Sequence, residues 1–160
     1  MKYSDDIKDL LGVIGTNLYL IRQYKGLSII ELSRKSNCSR LMIGRLENGE
    51  QDICYETLLK LSKGLDINFT ELFVRFESVD KAVLNRYIED NYLEIFTTNL
   101  KREIYGDTQL RASHITGMDV SNFNKLINGR IKNPRVSTIY KLSLLSNHHL
   151  EELFMRGELS

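Results

Sequence analysis

The chain has 160 residues, 42% hydrophobic and 27% charged, with a formal net charge of +1; this composition builds a globular core and excludes a disordered polar chain. No apolar run approaches the roughly 20 residues a spanning helix needs, so the reading is a soluble protein with no membrane partner. Cys38 and Cys54 lie far along the chain from His114, His148 and His149, which leaves no zinc-ligand spacing; without a signal-peptide pattern, the cysteines read as buried thiols of a cytoplasmic protein.

A single proline, Pro134, and the scarcity of glycine-rich stretches favour long helical segments, hence an all-α fold. Leu18 and Ile21 mark a first helix that stops near Gly26, and Ser28 caps a second whose inner face is Ile30 and Leu32. A turn follows at Ser36, Asn37 and Cys38. Ser39 caps a third helix with Met42 or Ile43 and Leu46 inward, and Asn48-Gly49 ends it. Tyr55, Leu58, Leu61 and Leu65 trace a fourth helix, and Leu72 with Phe73 add a last apolar anchor.

Beyond this, Val79, Val83, Leu84, Tyr87, Ile88, Ile95 and Phe96 recur at helical spacing, which predicts a connecting helix. It either runs on into the next helix or breaks at Glu89-Asp90-Asn91. The expected division is a first domain over 1–77, a connecting helix and linker over 78–91 and a second domain over 92–160.

An internal repeat supports the division. Thr57-Leu58-Leu59-Lys60-Leu61-Ser62 returns as Thr138-Ile139-Tyr140-Lys141-Leu142-Ser143, and Glu71-Leu72-Phe73 as Glu152-Leu153-Phe154. Leu46-Glu47-Asn48-Gly49 returns as Leu126-Ile127-Asn128-Gly129, one residue closer, and the same offset sets Arg22 and Gly26 against Arg102 and Gly106. His148-His149 then matches Ile67-Asn68 as a spacer. Residues 1–80 carry a net charge of −1 and residues 81–160 of +2.

Gly15, Leu18, Arg22, Gly26-Leu27-Ser28, Leu32-Ser33, Ser39, Ile43 and Leu46-Glu47-Asn48-Gly49 stand in an order and spacing that resembles the Cro/C1-type (XRE) helix-turn-helix family. The second unit matches at Thr108-Gln109, Ala112, Gly117, Leu126 and Asn128-Gly129, with Ile127 in place of the usual glutamate. The resemblance implies two tandem lambda-repressor-like domains of four to five helices, Arg22 and Glu47 forming a buried pair, and a third helix of each unit lying in the DNA major groove. It makes Ser39, Arg40, Leu41 and Arg45 the base-reading residues of unit one, and Val120, Ser121, Asn122 and Lys125 those of unit two, beginning at Asp119. Arg40 or Arg45 suits guanine, and Ser121 or Asn122 an adenine or thymine edge. Backbone contacts fall to Ser28, Asn48, Thr108, Gln109, Asn128, Arg130, Lys132 and Arg135.

The implied partner is double-stranded DNA, bound by a repressor or similar regulator that takes no cofactor and no metal; a homodimer is compatible with this. No nucleophile-and-base pairing, glycine-rich phosphate loop or carboxylate pair points to an enzyme. The alternative is a protein-interaction module, an antirepressor, antitoxin-like inhibitor or adaptor, using unit one. Its motive is the loop Glu50-Gln51-Asp52, whose acids would repel phosphate.

Overall fold

The computed structural model describes residues 5–75, 84–104 and 108–157, without the side chain of Thr108. The described residues are helical, with no β-strand, and the chain divides into two compact units, Met1–Glu89 and Asp90–Ser160. The first holds α1 (Asp5–Tyr24), α2 (Ile29–Ser36), α3 (Arg40–Glu47), α4 (Tyr55–Leu65) and a 3-10 helix, Phe69–Phe73. The second holds α5 (Tyr92–Glu103), α6 (Thr108–Thr116), α7 (Val120–Ile127), α8 (Val136–Ser143) and a 3-10 helix, Leu150–Phe154.

Helix α1 turns Ile7, Leu11, Ile14, Leu18 and Ile21 inward at spacings of three and four residues, and all are buried. A Cβ on Gly15 would stand 2.2 Å from the carbonyl oxygen of Leu46, so glycine is what lets α1 touch the end of α3. Gly64 plays the same part where α4 meets α2, with Leu32 and Ser36 side-chain atoms 3.1 Å from a would-be Cβ. In α2 only Leu32 of the expected inner pair is buried; Ile30 is 45% exposed, because it lies two residues, or about 200°, around the helix from Leu32. In α3 the choice between Met42 and Ile43 falls to Ile43, which is fully buried with Leu46 beneath it.

Buried asparagines clasp the first helix of each unit to its last segment. Asn17 Nδ2 donates to the carbonyls of Leu72, at 3.0 Å, and Val74, and Asn99 Nδ2 to those of Leu153 and Met155, both at 2.8 Å. An exposed ion pair repeats the tie further out, Arg75 to Asp9 at 2.7 Å in the first unit and Arg156 to Asp90 in the second.

The clasps correct the alignment of the first helices. Asn17 and Asn99 are 82 positions apart, as are the buried pairs Leu18 and Leu100, Ile14 and Phe96, and Leu11 and Leu93. The counterpart of Arg22 in this register is Ile104, not Arg102, and that of Gly15 is Thr97. Arg102 is exposed and, among the described residues, reaches the carbonyl of Gly157 at 3.5 Å; Gly106 and Asp107 lie outside the described residues.

Two further expectations are revised. Residues 84–90 carry no helix, and 78–83 of the expected connecting helix lie outside the described residues. The segment is held by tertiary bonds instead: the Asn85 backbone N–H and Nδ2 donate to Glu71 Oε1 at 3.1 and 2.9 Å, the Asn85 carbonyl accepts from the Asn68 backbone N–H at 2.8 Å, Arg86 meets Asp66 at 2.9 Å and Lys63 meets Glu89 at 2.8 Å. The two bonds of the Asn85 N–H and carbonyl take backbone groups that a helix would have used internally. His148 is not a passive spacer. Its Nδ1 lies 2.9 Å from Glu152 and its Nε2 3.4 Å from Glu103, so the ring bridges the end of α5 and the following 3-10 helix.

Candidate nucleic-acid interface

The angle between α2 and α3 is set locally. Ser28 caps α2, accepting from the N–H of Glu31 at 3.1 Å while Glu31 accepts from the N–H of Ser28 at 3.3 Å, which satisfies two of the free amides of the first turn. Asn37 takes the left-handed conformation at φ 56° and reverses the chain. Ser33 Oγ donates to the Cys38 carbonyl at 2.6 Å, so the small residue at the crossing also pins the turn. Ser39 caps α3, accepting from Met42 N–H at 3.1 Å.

The far end of α3 is held by charge. Arg22 Nε and Nη2 donate to the two carboxylate oxygens of Glu47 at 2.6 and 3.1 Å, and Nη1 donates to the Leu27 carbonyl at 2.9 Å. Both side chains are only 7% exposed. A planar fork on a carboxylate fixes direction as well as distance, so α3 is fastened at both ends and its outer face is left to solvent. That face carries the residues anticipated from sequence: Ser39, Arg40, Leu41 and Arg45 are all exposed, and neither arginine has an ion pair among the described residues. Ser28 and Asn48 are exposed at the two flanks.

In the second unit α6 and α7 are joined by Gly117, left-handed at φ 72°. Thr116 Oγ1 bonds the Ala112 carbonyl at 2.6 Å, as Ser36 does with Leu32. Asp119 caps α7, accepting from Asn122 N–H at 2.7 Å, and its other oxygen engages Asn122 Nδ2 at 3.2 Å. Ser121, Asn122 and Lys125 are exposed and Val120 half-buried. Gln109, Asn128, Arg130, Lys132 and Arg135 are exposed too; Thr108 opens α6, its side chain outside the description. Arg135 stands at the N-cap of α8 and makes no side-chain capping bond. A cation at that end opposes the helix dipole, and an anion arriving there would relieve it.

The acidic loop of unit one is weaker than its sequence suggests. Asp52 is 7% exposed, its carboxylate accepting the N–H of Ile53 at 2.9 Å, so Glu50 alone keeps an exposed charge. Burial of this acid has no signature in the sequence.

The helix-turn-helix family model matches residues 18–72, the stretch running from the middle of α1 to the 3-10 helix. These residues form a helix-turn-helix domain. Within it α2 and α3 are joined by the turn at Asn37, and the match supports a DNA-binding transcription regulator. Among solved structures, the chain is similar to the restriction-modification controller protein C.AhdI from Aeromonas hydrophila, with 36% identity, 39% of this chain and 96% of that chain covered, and a TM-score of 0.39. No curated protein matches. No described helix is long and apolar enough to cross a membrane, and no described cluster of His, Cys, Asp and Glu is suited to a metal ion.

Proposed function

We propose that the protein is a sequence-specific DNA-binding transcription regulator without catalytic activity, a repressor that works by occupying its site. The observation that carries this reading is the α3 face, where Arg40, Leu41 and Arg45 stand exposed on a helix whose ends are fixed by a serine cap and a buried bidentate ion pair. A positioned helix of this kind brings arginine forks to guanine O6 and N7.

The second unit is a second reader of the same design. The support is the recurrence of a left-handed turn residue, Asn37 and Gly117, of a side-chain cap on the third helix, Ser39 and Asp119, and of the clasp asparagine, Asn17 and Asn99, with Ser121, Asn122 and Lys125 on the outer face of α7. Arg130, Lys132 and Arg135 supply phosphate contacts that unit one lacks. Because Ser39, Arg40 and Arg45 have Asp119, Val120 and Lys125 as their sequence counterparts in the other unit, the two readers favour different half-sites, and the target is asymmetric or a direct repeat.

Selection from a random DNA pool followed by fluorescence anisotropy tests this. One sequence emerges, affinity falls steeply with salt, and alanine at Arg45 or Lys125 relaxes selection in different halves of the site. Emergence of no preferred sequence would refute the reading.

A further inference from the structure

Of the glycines inside helices of unit one, Gly15 and Gly64 are explained by neighbours at 2.2 to 3.2 Å from a would-be Cβ, whereas a Cβ on Gly12 or Gly44 would meet nothing within 4 Å; Gly12 packs its own Cα against Gly49, 3.3 Å from a would-be Cβ there, and Gly44 stands on the outer helix α3. Glycine is the poorest helix former after proline, and no neighbour among the described residues requires it at Gly44. The same face carries a second anomaly: Leu41, three residues earlier and so one turn below, is 66% exposed, an apolar side chain placed where solvation is unfavourable. Arg45, four residues after Leu41, completes the strip. In α7 the positions in the same register are Ser121 and Asn124, which are polar.

We infer that Leu41 and Gly44 form a close-approach notch that reads the C5 methyl group of a pyrimidine, thymine in ordinary DNA. The absent side chain at Gly44 lets the base edge come down to the helix backbone, the Leu41 side chain covers the methyl, and Arg45 fixes the register by holding a neighbouring guanine or phosphate. Among the base edges of the major groove the thymine methyl is the apolar feature, so it is what an exposed leucine between two arginines fits. The inference rests on the proposed role of α3.

The test uses the full chain and the site recovered by selection, with each thymine replaced in turn by deoxyuridine, which removes only the methyl. One replacement, in the half-site whose selection Arg45→Ala relaxes, weakens binding about fourfold, the worth of one buried methyl. With Leu41→Ala the thymine and deoxyuridine duplexes bind equally. Gly44→Ala weakens binding about tenfold while its thermal midpoint stays equal to or above that of the wild type, as the better helix former requires. The inference is overturned if every deoxyuridine duplex binds the wild type like the thymine duplex, if the difference persists in Leu41→Ala, or if Gly44→Ala binds unchanged. Should Arg45→Ala also leave binding unaltered, α3 is not the reader and both conclusions fall; if Arg45→Ala weakens binding and deoxyuridine does not, only the notch falls.

Discussion

In the first unit the end of α1 is fastened to the end of α3 by Arg22 and Glu47, and Gly15 lets the two backbones touch. In the second unit the residues in the same register are Ile104, Ile127 and Thr97, two apolar side chains for the ion pair and a β-branched one for the glycine. The asparagine clasp is present in both. The difference teaches which constraint both units keep: a buried donor satisfies two carbonyls of the closing segment in each, whereas the positions of the ion pair hold charge in unit one and hydrocarbon in unit two. Desolvation offsets most of the Coulomb attraction of a buried pair, so an apolar pair of similar volume is close to neutral, while a half-pair is not. What the ion pair adds in unit one is direction, since the bidentate fork fixes how α3 lies.

The largest expected effect breaks that pair on one side. Glu47→Ala leaves the Arg22 guanidinium buried and uncompensated, a loss of about 3–5 kcal/mol, read by urea denaturation. The double variant Arg22→Ile with Glu47→Ile, which imports the chemistry of unit two, loses less than half as much. If the double variant is as unstable as the single, the equivalence drawn between the units is wrong. Next come the clasps. Asn17→Ala and Asn99→Ala each strip the donor from buried carbonyls and cost about 1–3 kcal/mol, and the losses are of the same size in the two units if the 82-residue register is right. A loss confined to Asn17→Ala would remove the basis for that register.

A smaller effect separates the units by charge. Arg130→Ala, Lys132→Ala and Arg135→Ala each lower the salt dependence of DNA binding by about one in log–log slope, with little change in sequence preference. Arg40→Ala or Arg45→Ala instead alters preference. Equal slopes for wild type and all three variants would show that the basic loop of unit two does not meet the phosphate backbone.

How far the sequence announced this structure depends on how local each cause is. Ser28, Asn37, Ser39 and Asn48-Gly49 were legible because a cap or a left-handed turn acts within three or four residues of itself. Arg22 with Glu47 was legible only through the family resemblance, and the exposed face of α3 came with it. The clasp of Asn17 escaped because its partners are backbone carbonyls 55 and 57 positions away, which no side-chain pattern records. The register of α5 was misread because Arg102 offers a residue of the same type as Arg22, although the buried leucines and asparagine lie two positions off. Residues 84–90 have helical spacing, yet Ile88 is 65% exposed; the hydrogen bonds of Asn85 to Glu71 and Asn68 decide that segment, and they are tertiary.

The smallest effect concerns how that segment is kept in place. The Arg86 guanidinium holds the Asp66 carboxyl below the usual carboxylate range by a hydrogen bond, the Lys63 ammonium does the same to Glu89, and in the second unit Arg156 does it to Asp90. A carboxylate whose folded-state pKa is depressed contributes stability that is present above its unfolded value and lost as pH falls through the folded one. The tether therefore stays intact above the ordinary carboxylate range and loosens only in acid, as pH falls below that range. Carboxyl chemical shifts followed by NMR should give midpoints below that range for all three groups. Arg86→Ala should return Asp66 to an ordinary midpoint while Asp90 keeps its depressed one, because each acid is governed by a cation of its own unit. An Asp66 midpoint that is ordinary in the wild type would mean that Arg86 does not hold it in solution, leaving Asn85 and its bonds to Glu71 as the tie that keeps the chain leaving unit one against its 3-10 helix.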